Sequence, residues 1–166
     1  MIGSHGIIEG VTAAPQCWTC RTEAQPGLPP RERAYLGRNW RVAHAFGTAL
    51  PGWMVVVPRR HVIGLDELTA AESAELGPLL SGLTAALREV VGCVKTYVAL
   101  FAEADGFAHV HFHVIPRMPG QPAELRGPRV FGLLGRDDAG QVPDDVRDQI
   151  ATDVAAALAR RGPGQR

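Results

Sequence analysis

Apolar and polar positions alternate from Trp40 to Phe46. Trp40, Val42, His44 and Phe46 share one face of an extended chain, and Arg41, Ala43 and Ala45 share the other. Leu50-Pro51-Gly52 reads as a tight turn, with one φ fixed by proline and the glycine free to take a positive value. Trp53 to Val57 is a continuous apolar run, which predicts a strand buried on both faces and ended by Pro58. Further on, Thr69 and Glu72 form a T-x-x-E capping box, and Leu76, Leu80, Leu83, Leu87 and Val90 recur at helical steps until Gly92. Lys95 to Glu103 and Phe107 to Arg117 predict two more strands, joined as a hairpin by the short turn Ala104-Asp105-Gly106. Residues 118–140 are rich in Pro and Gly and predict loop. A last helix begins near Pro143, with Val146, Ile150, Val154 and Leu158 as its apolar stripe.

The order is strands, helix, hairpin, helix. It predicts an α+β domain with an antiparallel sheet and two principal helices. Residues 1–16 read as an irregular N-terminal arm and 21–33 as a loop. Residues 17–166 read as a single domain, of which 118–166 form a C-terminal extension carrying the last helix.

Charge narrows the choice of partner. Seventeen basic and seventeen acidic residues cancel, so no global attraction to nucleic acid or to a membrane surface follows. No apolar run approaches the roughly 20 residues of a membrane helix. The N-terminus lacks the charged-then-apolar pattern of a secretion signal, and the expected setting is cytoplasmic. Three cysteines, Cys17, Cys20 and Cys93, are an odd number, which argues against a disulfide framework. Cys93 stands among apolar residues as a small core filler.

The chemistry gathers in His109-Val110-His111-Phe112-His113-Val114-Ile115, which holds half of the six histidines. On a strand, strict alternation puts three imidazoles on one face, roughly 7 Å from each to the next. A row merely buried would be costly, since each ring needs hydrogen-bond partners. Imidazole is a competent nucleophile at neutral pH. Attack on phosphorus would divide one hard displacement into two easier ones, and the flanking rings can donate to phosphoryl oxygens. His111, with help on both sides, is the geometric choice of nucleophile. His5 carries no functional weight in this reading. Cys17-Trp18-Thr19-Cys20 has the spacing of half a Zn(II) site, and two further ligands would be needed to close it.

The segment His109 to Ile115 resembles the H-φ-H-φ-H-φ-φ signature of the histidine triad (HIT) superfamily. Trp53-Met54-Val55-Val56-Val57-Pro58-Arg59-Arg60-His61-Val62 is similar to that family's strand, proline, basic pair and histidine. The resemblance spans roughly residues 17 to 117. It implies a HIT-like antiparallel sheet, commonly in a homodimer, and a bacterial HIT-type hydrolase acting on phosphoramidate or phosphoanhydride bonds. The substrates implied are nucleotide-like small molecules: nucleoside phosphoramidates, dinucleoside polyphosphates or, more distantly, substrates of nucleotidyl transfer. It implies that His111 becomes nucleotidylated, that His113 touches the phosphate and helps the leaving group, and that His109 orders the row. It also implies a structural zinc site of Cys17, Cys20, His61 and His109. His44 and Arg117 are lesser candidates for substrate contact.

The pattern departs from the family in two places. The acidic residue that many relatives set against ribose hydroxyls falls here on Ala45, with His44 beside it. The polar residues that usually precede the triad are replaced by the 104–106 turn, Phe107 and Ala108, leaving Glu103 and Asp105 nearby. Both departures concern the nucleoside and leave the chemistry intact. Arg126-Gly127-Pro128-Arg129 is expected to fold over the pocket and supply replacement contacts. Two other readings stand beside the first. One is a metal-dependent hydrolase that chelates its ion on the histidine row. The other is a nucleotide-binding or regulatory module with little turnover.

Overall fold

The computed structural model describes residues 17–135 and 140–161; the N-terminal arm of residues 1–16, with His5, lies outside them. The chain runs α1 (Trp18–Glu23), β1 (Tyr35–Leu36), β2 (Trp40–His44), β3 (Met54–Pro58), α2 (Ala70–Val91), β4 (Lys95–Ala99), β5 (Phe112–Arg117) and α3 (Asp144–Arg161). Five strands form one antiparallel sheet in the order β1-β2-β3-β5-β4. The α+β architecture is the one the sequence predicts.

Register decides which residues meet. Ala43 pairs with Val55, Val55 with His113, and His113 with Ala99, so these four form one row across the sheet. Alternation then puts Arg41, Ala45 and Val57 on the same face. The opposite face carries Trp40, Val42, Met54, Val56, Phe112 and Val114, which pack beneath α2 and α3 as the main core.

The long helix α2 starts as its sequence dictates. Thr69 Oγ1 accepts from the Glu72 N–H at 3.2 Å, and the Glu72 carboxylate accepts from the Thr69 N–H at 2.7 Å. Gly92 ends it with a left-handed φ of 68°. The same Glu72 carboxylate also accepts from Arg60, fixing the chain one residue before His61.

Three expectations need correction. Residues 18–23, whose C-terminal part the sequence assigns to loop, form the short helix α1, with Cys17 at its N-cap. The predicted hairpin is looser than expected: β4 ends at Ala99 and β5 begins at Phe112, with residues 100–111 between them. The tight turn is present, as Phe107 N–H donates to Ala104 O at 2.8 Å, but it lies within that connection. Finally, α3 buries Ala151, Val154 and Ala157, with Ile150 and Leu158 at the margins and Val146 exposed. Small residues let α3 lie close to α2, where a Cβ added at Gly82 would stand 3.4 Å from Leu158.

The described residues after β5 fall into two parts. α3 joins the helical layer, tied to the 30–32 turn through Arg31, which reaches Asp148 at 2.8 Å and Asp144 at 3.0 Å. Residues 118–135 cross to the other face and pack Val130, Phe131, Leu133 and Leu134 around Trp53, Ile115, Ala45 and Leu50.

Candidate active site and metal cluster

The histidine row is split between two tasks. Only His113 lies on β5; His109, at a bend, and His111 precede it outside the ladder, where the sequence predicts continuous strand. The cause is local. His109 Nε2–H donates to Pro58 O at 2.9 Å, taking a carbonyl that a ladder N–H would otherwise use. Val110 N–H turns instead to Val62 O at 2.7 Å. The backbone therefore leaves the sheet while side-chain alternation persists.

With its Nε2 committed, His109 presents the Nδ1 lone pair to the cysteines. Nδ1 lies 3.5 Å from Cys17 Sγ and 3.6 Å from Cys20 Sγ, and His61 Nδ1 lies 3.2 Å from Cys20 Sγ. The four ligand atoms fall within 4.8 Å of one another. A tetrahedral ion with bonds of about 2.0–2.3 Å has ligand-to-ligand edges of roughly 3.3–3.8 Å, so this spacing suits it. The two-thiolate, two-imidazole donor set is that of a closed zinc site. Among the described residues, the metal-ligating cluster includes neither His111 nor His113. The geometry thus gives no support to an ion chelated along the row.

The cluster is anchored from several sides. Glu23 of α1 accepts from Arg41 at 2.9 Å and also holds Arg59. Trp18 N–H donates to Gly106 O at 3.1 Å, and the Trp18 ring packs against Phe46 and Phe107 at 5.2 and 6.1 Å.

His111 is oriented by its neighbour in sequence. Its Nδ1–H donates to His109 O at 2.8 Å, which leaves the Nε2 lone pair for the cavity that the ring lines. That cavity is about 570 Å³, on the sheet face away from α2 and α3. Ala43, Val55 and Val57 form its floor, and His113 stands beside His111 with ring centres 4.9 Å apart. Phe46, Phe107 and Trp18 rim it on one side, and Phe101 and Phe131 on the other. The Arg41 guanidinium at the floor is engaged, accepted by Glu23 at 2.9 Å and by the Glu32 carboxylate and carbonyl at 2.8 Å. Glu103 and Ala45 also line the cavity.

The remaining sequence candidates fall as follows. His44 is 1% exposed at the cavity edge, with both nitrogens in use: Nδ1–H donates to Ala45 O at 2.8 Å and Nε2 accepts from Gly52 N–H at 2.9 Å. It pins the turn that feeds β3. Arg117 ends β5 opposite Lys95, roughly 13 Å along the strand from His113. Residues 118–135 do cover the sheet, but Arg126 and Arg129 do not reach the cavity. They donate to the carbonyls of Gln121, Glu124 and Ala123, and the expected replacement contacts are not made.

Two residues escaped the sequence reading. Trp53 Nε1–H donates to His113 Nδ1 at 3.0 Å, and Phe131 packs edge-on against His113 at 5.1 Å. Period-two alternation in the 53–57 run carried a signal for Trp53, since it shares a face with Val55. Phe131, on a short 3-10 helix (Gly127–Leu133) in a stretch the sequence assigns to loop, left none.

Burial pushes the His44 imidazole down to about 4. His113 is also lowered to about 4, first by burial and then by the neighbouring His111.

An antiparallel α+β sheet with a split histidine row and a Cys-Cys-His-His cluster defines a class, and comparison supplies its family. Residues 41–120, just under half of the chain, match the family described as HIT domain. Solved structures agree on the fold. A Zn-bound histidine triad family protein from Mycobacterium smegmatis is 22% identical, covering 87% of this chain and 94% of that one, with a TM-score of 0.62. A histidine triad protein from Sinorhizobium meliloti is 24% identical, covering 78% and 88%, also with a TM-score of 0.62. A uridylyltransferase is 23% identical over 87% of this chain and 45% of its own, with a TM-score of 0.60. No curated protein matches the chain. Among the described residues no helix is long and apolar enough to cross a membrane.

Acid should expose the cost of the buried imidazole. Above pH 6.5 a ring with a depressed pKa has no effect on stability. As pH falls from 6.5 to about 4, the unfolded chain binds a proton that the folded His44 refuses, and stability drops by about 3 kcal/mol for that group. Melting curves from pH 7 to 4 should show this fall together with that of His113, and His44→Gln, whose amide can donate and accept in the same place, should make it shallower by the His44 share.

Proposed function

We propose that the chain cleaves a nucleotide-like substrate at a phosphoramidate or phosphoanhydride bond, through a nucleotidyl-histidine formed on His111. One observation carries the reading: the Nδ1–H bond to His109 O at 2.8 Å leaves the Nε2 lone pair of His111 at a cavity of about 570 Å³. In the first step Nε2 attacks phosphorus and the leaving group departs with its electron pair. In the second, water attacks the same phosphorus and His111 is released. His113 holds a non-bridging oxygen as charge develops. His109 acts on the row through its carbonyl. Nucleotidyl transfer to an acceptor other than water would use the same intermediate. A homodimer in a cytoplasmic setting belongs to this reading.

On the same proposal the Cys17, Cys20, His61 and His109 cluster holds a structural zinc ion. The ion, closed by four protein ligands, would fix α1 and the His109 backbone rather than meet substrate. It would supply folding stability and take no part in bond cleavage.

Two measurements check these assignments. Steady-state kinetics on adenosine phosphoramidate, a dinucleoside polyphosphate and a nucleotide sugar should give turnover of at least one. His111→Ala should then lower kcat by about 10³-fold or more while leaving substrate affinity within a few-fold. Ligand binding by wild type with no turnover of any member would favour the binding-module reading. Elemental analysis should give about one zinc per chain. Cys20→Ala should lose the metal and melt at lower temperature, whereas a metal-free wild type of unchanged melting temperature would refute the structural role.

A further inference from the structure

Trp53 sits behind His113, fully buried, at the start of the segment leading into β3. Its indole Nε1–H donates to His113 Nδ1 at 3.0 Å, and the two rings meet edge to face at 5.6 Å. An indole N–H donates and cannot accept. The bond therefore requires a lone pair on Nδ1, which puts the proton of neutral His113 on Nε2. A proton on Nδ1, in the other tautomer or in an imidazolium, would set one N–H against another and abolish the bond. The other neighbours do not relieve this. Phe131 packs edge-on against His113 at 5.1 Å and Trp53 at 5.3 Å, and offers no acceptor. On the other side His111 has its Nδ1–H committed to His109 O. Burial acts in the same direction.

We infer that Trp53 is a positioning residue that holds His113 as a neutral Nε2–H donor throughout the reaction, so that His113 can bind a phosphoryl oxygen but cannot protonate a leaving group. The inference rests on the reading of His111 as nucleophile and corrects the role the family resemblance implies for His113. The step balances without a proton from His113. The His111 Nε2 lone pair forms the new P–N bond, the bond to the leaving group breaks, and its electron pair leaves with that group. Surrendering the Nε2 proton would leave an imidazolate in a buried, apolar site, which is prohibitively costly. The leaving group must depart as an anion stable near neutral pH or arrive already protonated. The site thereby favours substrates with acidic leaving groups, such as phosphoric anhydrides and aryl esters, over amidates of strongly basic amines.

Long-range proton–nitrogen correlation spectra of ¹⁵N-histidine-labelled protein, with His113 assigned by its loss in His113→Gln, read the tautomer directly. Wild-type His113 should carry its proton on Nε2, and Trp53→Phe should populate the Nδ1–H form. A proton on Nδ1 in wild type overturns the inference, even if the variant does not fold. The kinetic arm uses aryl esters of adenosine 5′-monophosphate with phenols of graded acidity. For wild type, kcat/KM should fall at least about threefold per unit of leaving-group pKa. In Trp53→Phe the dependence should be shallower, because His113 can then carry a second proton. A uniform loss on every ester would show a merely structural tryptophan and refute the positioning role. The tautomer is read without substrate, so failure of the His111 reaction and failure of this inference are separable.

Discussion

The imidazole of His109 is committed at both ends, and much of the site follows from that. Its Nε2–H takes the Pro58 carbonyl at 2.9 Å, which draws the chain out of the β3–β5 ladder before His111. Its Nδ1 faces two thiols, which fixes α1 against the sheet and brings Trp18 to the cavity rim. Its own carbonyl orients His111. One residue thus joins the strand end, the metal cluster and the nucleophile. Removing that buried imidazole would take the donor from the Pro58 carbonyl and one ligand from the four-residue cluster, and an unsatisfied buried polar group costs about 1–3 kcal/mol.

The parts legible in the sequence are those whose causes are local. The capping box at Thr69 and Glu72, the left-handed Gly92 and the alternation from Trp40 to His44 each depend on neighbours a few residues away. The histidine row and the C-x-x-C were visible for the same reason. What was missed depends on distant partners. The break before Phe112 needs Pro58 O, more than 50 residues away, so alternation alone predicted strand through His109. The arginines of 126–129 looked like phosphate ligands because their charge was visible and the carbonyls of residues 121–124 that satisfy them were not. In α3, larger apolar residues drew the stripe towards Val146, while the buried surface is set by alanines that permit close approach to α2.

The cavity holds two of the three histidines of the row, His111 and His113, in apolar surroundings. Ala45 lines it where many relatives carry an acid, and the cation at its floor, Arg41, is neutralised by Glu23 and Glu32. Five aromatic side chains surround an opening with few polar groups to offer. Recognition on the proposed reading rests on stacking and shape more than on charge, while the chemistry keeps two imidazoles whose tautomers are set by a backbone carbonyl and an indole N–H.

The central claim is covalent attack by His111, and intact-protein mass spectrometry during turnover tests it most directly. A transient mass increase of one nucleotidyl group is expected on wild type and not on His111→Ala. Rapid turnover with no adduct under quench, or an adduct that persists in the variant, would contradict it.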